Sequence, residues 1–332
     1  MKILMFKRPK VAVKFLLISS VLFLSVVLAL YPDKYSKTTL DGVTLFAVSV
    51  MPSLLPYFFL TAILTKMNAL SGAFYTLSPL SKKLFRLNGI SFYVFFMSVL
   101  SGYPVGSKLI DDLYSSNAIN ESEASRMSLL CSTSGPLFII GAVGATMFQS
   151  KTVGFILYLC HVLSAIITAL LFKNAYGEPK GNFSMLNSKK CENFLYESVY
   201  SSVISVLIVG GFISVFYVIS QILIDFNLLS PLIFIFKAIL SPISYSGEEA
   251  TAFTVGLIEF TKGAKMLSNI GVNPLTVSLT AFIITFSGVS VLLQSLAFLS
   301  RAKVNGLFFT LGKLVQAIIA FTLTYVSCLF FL

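Results

Sequence analysis

The stretch that decides the fold spans residues 99–144 and reads VLSGYPVGSKLIDDLYSSNAINESEASRMSLLCSTSGPLFIIGAVG. Two segments rich in Gly and Pro interrupt it, SGYPVGSK at 101–108 and CSTSGPLFIIG at 131–141. Because a bilayer offers no water to unpaired backbone groups, broken helix at membrane depth is tolerated only where protein covers it or a cavity borders it. Membrane transporters build solute sites from such discontinuous helices. The stretch therefore predicts half of a solute site inside a membrane protein.

The composition is that of a membrane protein. Of 332 residues, 56% are hydrophobic and 11% are charged, whereas soluble domains carry about 25% charged residues. The net charge of +11 fits Lys and Arg gathered in cytoplasmic loops. The basic residues are not interleaved with aromatic side chains in the way that stacking on nucleic-acid bases requires. The sequence thus predicts an all-α polytopic protein of the cell membrane, without a nucleic-acid partner.

The distribution of basic residues predicts the topology. Five basic residues precede the apolar run 15–31, which favours a signal-anchor helix with a cytoplasmic N-terminus. If the short apolar segment 90–107 dips into the membrane and returns, the lysine-rich loop 173–196 lies in the cytoplasm. If residues 231–245 likewise enter the membrane and return on the same side, here the outside, Arg301 and Lys303 lie in the cytoplasm.

The predicted architecture is about eight transmembrane helices plus two re-entrant helical hairpins in an inverted repeat, all within one transporter domain over residues 1–332. The predicted parts are an N-terminal signal-anchor helix and outer loop at 1–42, a first repeat at 43–172 with a re-entrant hairpin at 90–120, a cytoplasmic loop at 173–196, and a second repeat at 197–332 with a re-entrant hairpin at 229–267. Paired broken helices in inverted repeats predict a solute site near the midplane.

The first break offers several site candidates. Gly102 and Gly106 allow the backbone to turn, and Pro104 prevents the helix from continuing. The helix that follows points free N–H groups toward the cavity. Tyr103 offers a hydroxyl or a stacking face, and Lys108 a positive charge. The alternatives are a plain loop between crossing helices and, for Lys108, a snorkelling lysine that sets topology.

The other breaks supply the remaining candidates. Ser134 offers a hydroxyl where Gly135 and Pro136 unwind the helix, although small residues also form helix-packing seams. Glu259 stands between apolar neighbours, and an ionisable group at membrane depth is usually functional. Its candidate roles are proton or cation coupling and a hydrogen bond to the solute. Gln294 is a polar candidate that alternatively bonds a neighbouring helix.

Cysteine and histidine do not suggest metal binding or catalysis. The four cysteines lack the spacing of a metal site, and His161 is the single histidine, which favours a hydrogen-bonded helix residue. No arrangement of His with Asp or Cys indicates a hydrolase. The chain is therefore expected not to be an enzyme and to need no cofactor, with H+ and Na+ both open as coupling ions.

The motifs resemble those of a known family. In chain order they are P-x-L-L-P-x-F, SGYPVGSK, ESEASR, SGPLFIIGAVG, GLIEFTKG and SGVSVLLQ. This order resembles the sporulation integral membrane proteins of the YlbJ type, within the nucleoside-recognition (Gate) domain group. Gate domains are similar in core architecture to concentrative nucleoside transporters, which have re-entrant hairpins and unwound helices in inverted repeats.

The resemblance implies transport at membranes around the developing spore, with the anionic aromatic dipicolinate as candidate solute. A nucleoside-type solute and a non-transporting assembly role are the alternatives. The expected partners are a small-molecule solute and the lipid bilayer, with a homo-oligomer left open. The site residues expected from the breaks and the resemblance are Ser101, Gly102, Tyr103, Pro104, Gly106, Lys108, Ser134, Gly135, Pro136, Glu259, Ser287, Gly288 and Gln294.

Overall fold

The structure is a computed structural model that describes residues 11–66, 76–176, 193–242 and 247–331. The described residues are helical, and no strand occurs among them. The helices are α1 (Val11–Leu30), α2 (Pro32–Leu45), α3 (Met51–Lys66), α4 (Ser78–Phe85), α5 (Ile90–Ser101), α6 (Val105–Ser115), α7 (Glu121–Leu130), α8 (Lys151–Leu171), α9 (Phe194–Asp225), α10 (Ser230–Leu240), α11 (Glu248–Ile258), α12 (Phe260–Ile270), α13 (Pro274–Phe286), α14 (Gly288–Leu299) and α15 (Gly306–Phe331). Phe46–Val50 and Leu137–Met147 are π-helical.

Several helices are long and apolar enough to cross a bilayer. In the described part of the chain they number four, or up to six if each bent helix pair counts as one span. The four spans are α8 (Lys151–Leu171), α9 (Phe194–Asp225), α13 together with α14 (Pro274–Leu299) and α15 (Gly306–Phe331). The all-helical class is confirmed, while the count of about eight spans plus two hairpins stays a prediction.

The segment expected as an outer loop within residues 1–42 is helical. Pro32 begins α2 at a position where its missing N–H costs no hydrogen bond. Tyr35 and Thr38 are buried along α2, and Gly42 lies against Tyr217 of α9. The segment is helical where a loop was expected, since α2 is only weakly apolar and its buried residues recur at helical spacing; its outer location stays a prediction.

The two prolines of the P-x-L-L-P-x-F motif, which commonly kink or break a helix, are accommodated within α3. Pro52 lies in the first turn of α3, and Pro56 lies inside that helix. The π-helical segment Phe46–Val50 directly precedes α3. A wider π turn is one of the usual places where a helix absorbs a local mismatch in its hydrogen bonds. The chain therefore runs from α2 to α3 without a loop.

The first predicted hairpin coincides with a pair of short helices. Helices α5 and α6 contain 12 and 11 residues, and at 1.5 Å per residue each reaches about 18 Å, too short for a bilayer core of about 30 Å. A turn at residues 102–104 separates them, and Gly106 lies against Ser98 across the pair. This geometry supports the re-entrant assignment at 90–120, which remains a prediction.

The second close helix pair differs from the predicted hairpin at 229–267. That prediction placed the turn at residues 246–249, of which Ser246 lies outside the described residues. In the structure α10 packs on α11, with the Phe236 and Phe253 ring centroids 4.9 Å apart, and α11 also packs tightly on α12, where Gly263 lies against Gly256. The turn of this pair is at Glu259, which has extended φ and ψ angles of −131° and 103°. Glu259 ends one helix and caps the next, a break that requires neither Gly nor Pro.

Candidate solute site

The break at residues 102–104, between α5 and α6, packs directly on the break at residues 131–135, after α7. We call this contact the first junction. Gly102 has a φ of +82°, and a Cβ there would lie 2.6 Å from the backbone N of Gly135. A Cβ at Gly135 would lie 3.0 Å from the Leu100 carbonyl oxygen. The two backbones therefore meet without intervening side chains, a closeness that requires glycine at Gly102.

Side chains replace the missing helical hydrogen bonds of the segment at 131–135. Ser98 donates to the Cys131 carbonyl at 2.5 Å and accepts the Thr133 N–H at 3.3 Å. The Ser134 N–H donates to His161 Nε2 at 2.9 Å. His161 Nδ1 is 2.8 Å from the hydroxyl oxygen of Thr285. The unwound segment is thus fixed, and His161 is hydrogen bonded at both ring nitrogens.

A buried lysine completes the first junction. Lys313 on α15 is fully buried, and its Nζ donates to the Tyr103 hydroxyl at 2.9 Å and to the Ser132 carbonyl at 2.9 Å. The same ammonium lies 5.1 Å from the centre of the Tyr103 ring. One cation therefore contacts both broken segments.

Two further breaks also pack on each other, one at Glu259 between α11 and α12 and one at residues 287–288 between α13 and α14. We call this contact the second junction. Ser287 and Gly288 adopt positive φ angles of 75° and 57°. A Cβ at Gly288 would lie 3.2 Å from the Ile258 carbonyl oxygen. Glu259 is fully buried, and its Oε2 accepts the Lys262 N–H at 2.6 Å. The carboxylate thus caps α12 at the point where the two breaks meet.

A narrow cavity lies between the two junctions. Its lining residues are Gly102, Tyr103, Ser134 and Gly135 from the first junction, Phe260, Thr261, Val291 and Gln294 beside the second, Phe138 on the π-helical segment, and Val50, Leu54, Val209 and Ile213 on the facing helices. Helical segments begin beside this cavity at Val105, Leu137, Phe260 and Gly288. The positive ends of these helical segments therefore lie close to residues that line the cavity.

Gln294 is the lining residue that most clearly lacks a partner. Its side chain is 3% exposed. Neither Nε2 nor Oε1 forms a hydrogen bond with a described residue. A buried carboxamide without partners costs free energy, so a donor and an acceptor are available to a molecule in the cavity.

Five of the predicted residues line the cavity, and the others lie around it. The five are Gly102, Tyr103, Ser134, Gly135 and Gln294. Those that border the breaks without lining the cavity are Ser101, Pro104, Gly106, Pro136, Glu259, Ser287 and Gly288. Lys108 is exposed and lines a separate cavity with Asp112 and Ser202. The structure therefore does not bring Lys108 to the central cavity.

The sequence interpretation missed Lys313 and the cavity-lining phenylalanines Phe138 and Phe260. Lys313 is a lysine seven residues into the apolar helix α15, and an ionisable residue in such a segment is a functional signal. Phe138 and Phe260 form an edge-to-face pair with ring centroids 5.3 Å apart. Nothing in an apolar run marks such phenylalanines as cavity residues.

Comparisons with known proteins place the chain among membrane proteins. No protein-family model matches it. It is 29% identical, over 330 aligned positions, to the sporulation integral membrane protein YlbJ of Bacillus subtilis (strain 168), covering 92% of this chain and 80% of the relative. It is also similar to a solved structure of CNTnw, a doubly substituted variant in an outward-facing state, with a TM-score of 0.54 and 13% identity over 95% of this chain and 86% of that chain.

These similarities confirm what the motifs indicated. CNTnw is a concentrative nucleoside transporter, and the likeness at 13% identity shows a shared fold. The similarity to YlbJ and the apolar helices together establish a multi-pass membrane protein. The chain is thus similar in sequence to the sporulation membrane protein YlbJ, and its fold is similar to that of a concentrative nucleoside transporter.

Proposed function

We propose that the chain carries a small organic solute across the membrane through the cavity between the two junctions. The observation that carries this proposal is the buried, unpartnered carboxamide of Gln294 in the cavity wall. Leaving such groups unsatisfied costs about 1–3 kcal/mol. A bound solute that exchanges hydrogen bonds with Gln294 explains why the polar group is placed there.

The surroundings favour an anionic aromatic solute. Helical N-termini near the cavity stabilise negative charge. Lys313 Nζ contacts the hydroxyl of the cavity residue Tyr103 at 2.9 Å. The rings of Tyr103, Phe138 and Phe260 line the cavity and offer faces and edges to a planar ring. Dipicolinate, an aromatic dicarboxylate, is the first solute to test, since the curated relative is a sporulation membrane protein.

A nucleoside-type solute is the second candidate. A carboxamide such as Gln294 both donates and accepts, as the edge of a nucleobase requires, and the fold is that of a nucleoside transporter. Neither similar protein is an enzyme, and we propose no catalytic reaction. A non-transporting assembly role would make the cavity residues dispensable, which separates it from both transport proposals.

Solute exchange in proteoliposomes tests the function. Vesicles loaded with unlabelled dipicolinate are expected to take up labelled dipicolinate by counterflow at least about tenfold faster than protein-free vesicles. An excess of uridine in a parallel sample compares the two solute classes. Competition by uridine would favour the nucleoside alternative. No exchange of either solute would contradict transport.

A further inference from the structure

The Lys313 side-chain nitrogen is buried, and its partners in the described part of the chain are all neutral oxygens. Its Nζ donates to the Tyr103 hydroxyl and the Ser132 carbonyl at 2.9 Å and to Gln316 Oε1 at 3.0 Å. An ammonium has three N–H donors, so all three are used. In the described part of the chain no carboxylate forms an ion pair with it.

The three oxygens come from the elements that the first junction joins. Tyr103 belongs to the hairpin turn, and Ser132 belongs to the unwound segment after α7. Ser132 lies two residues beyond the end of α7, near the negative end of that helix dipole, which stabilises a nearby cation. Gly312 lies against Leu129 and lets α15 approach the end of α7 closely. The fold thus places the Lys313 nitrogen among three oxygen acceptors that match the three N–H donors of a protonated lysine.

Carbonyl oxygens at helix breaks are also where transporters bind dissolved cations. Unwound backbone carbonyls coordinate Na+ in discontinuous helices, because such oxygens replace the hydration shell of the ion. Here the Ser132 carbonyl and the Tyr103 hydroxyl already hold a monovalent cation that is covalently attached to α15. A second monovalent cation at the same oxygens would be repelled by the first.

We propose that Lys313 is a tethered cation that holds the first junction together in place of a dissolved one, so that the protein works without Na+. This inference rests on the proposed transport function and concerns its coupling ion. It selects between the two ions that the sequence leaves open, and it makes Lys313 a positioning residue that acts on the solute through Tyr103.

The first test uses the wild-type protein in Na+, K+ or N-methylglucamine buffers of equal ionic strength. The thermal unfolding midpoint in detergent and the rate of dipicolinate counterflow are expected to be the same in all three. A midpoint that rises specifically with Na+, or exchange that requires Na+, would overturn the proposal.

The second test removes the tether. Lys313→Ala is expected to lower the unfolding midpoint, and methylammonium is expected to restore about 2 °C or more, because it binds the vacated oxygens. Wild type and Lys151→Ala, a variant of an exposed lysine, should show no such shift. Lys313→Met fills most of the same volume without charge and serves if the alanine variant does not fold.

Two results of the second test would count against the tethered cation. One is a Lys313→Ala variant on which methylammonium has no specific effect. The other is a Lys313→Met variant as stable and as active as wild type. The midpoints are measured without solute, so they remain informative if no solute exchange occurs. A failure of exchange in wild type would therefore contradict the proposed function separately.

Discussion

Gly102 is the residue on which the first junction most directly depends. An alanine there must adopt a φ of +82° and place its Cβ 2.6 Å from the backbone of Gly135. Backbone strain and steric overlap each cost about 1–3 kcal/mol. Gly102→Ala is therefore expected to lower the thermal unfolding midpoint by several degrees and to abolish solute exchange.

Gly211 provides the matched control for that substitution. It lies in α9, and a Cβ there would meet no atom within 4 Å. Because alanine is favoured over glycine inside helices, Gly211→Ala should leave the midpoint unchanged or raise it. Equal midpoints for the two alanine variants would show that the contact between Gly102 and Gly135 is not tight.

Glu259 offers a prediction about coupling. Its Oε2 accepts the Lys262 N–H, and a glutamine oxygen can accept the same bond, so Glu259→Gln should fold. If the carboxylate carries a coupled proton, the variant should keep solute counterflow and lose accumulation driven by a pH gradient. Both assays use the same proteoliposomes. Accumulation at the wild-type level would exclude a proton-coupling role for Glu259.

The site residues differ in how visible they are in the sequence. Gly102, Ser134 and Gly135 are marked by Gly and Pro breaks in apolar helix, and Gln294 by polarity within an apolar run. Lys313 and His161 lie inside unbroken helices, and their role depends on contacts with residues far away in the chain. Distant contacts of this kind leave no local pattern, so the partners of these two residues emerged only in three dimensions, although the position of Lys313 within an apolar helix was a visible signal.

At the scale of helices, an ion pair joins α6 in the first half to the end of α14 in the second half. Arg301 follows α14 and is largely exposed, whereas Asp111 on α6 is fully buried. Arg301 Nε donates to Asp111 Oδ2 at 2.8 Å, and Nη2 donates to the same oxygen. Because removing one partner leaves a buried charge unpaired, Arg301→Gln is expected to lower the unfolding midpoint.

The double variant and a neighbouring lysine make that prediction specific. Adding Asp111→Asn to Arg301→Gln removes the unpaired charge and should recover part of the lost stability. Lys303→Gln changes an exposed cation two residues away and should have no effect. A double variant no more stable than Arg301→Gln alone would show that the ion pair does not join α6 to the second half.

The second hairpin shows why element boundaries can be misplaced. The sequence interpretation used Gly247 as the turn, since Gly is the usual sign of a helix break. In the structure the turn is at Glu259, whose carboxylate caps the following helix. An acidic residue at a helix start is a weaker signal than glycine, and the close approach of Gly256 and Gly263 is visible only after folding.

For the molecule as a whole, the inverted topology gives a labelling prediction. The charge distribution places Ser300 in the cytoplasm and Ser230 outside, and both are exposed. In a variant without native cysteines, Ser230→Cys in intact cells should react with a membrane-impermeant maleimide, and Ser300→Cys should react only after permeabilisation. The opposite pattern would contradict the orientation.

The all-helical class and the breaks at Gly102 and Gly135 were predictable, because composition and Gly/Pro positions determine them locally. The pairing of the breaks into two junctions was not. It depends on glycine backbones such as Gly102 and Gly135 meeting across more than thirty residues. The helix α2 was missed for a related reason, since its amphipathic pattern is completed by burial against α9.

The central claim is that a solute binds in the cavity between the two junctions, and Gln294 tests it most directly. The measurement is dipicolinate counterflow by Gln294→Leu, compared with Gln149→Leu, the same change at an exposed glutamine outside the cavity. Loss of hydrogen bonds to the solute should slow exchange by about tenfold or more in Gln294→Leu, with Gln149→Leu at the wild-type rate. Exchange at the wild-type rate by Gln294→Leu would contradict the account.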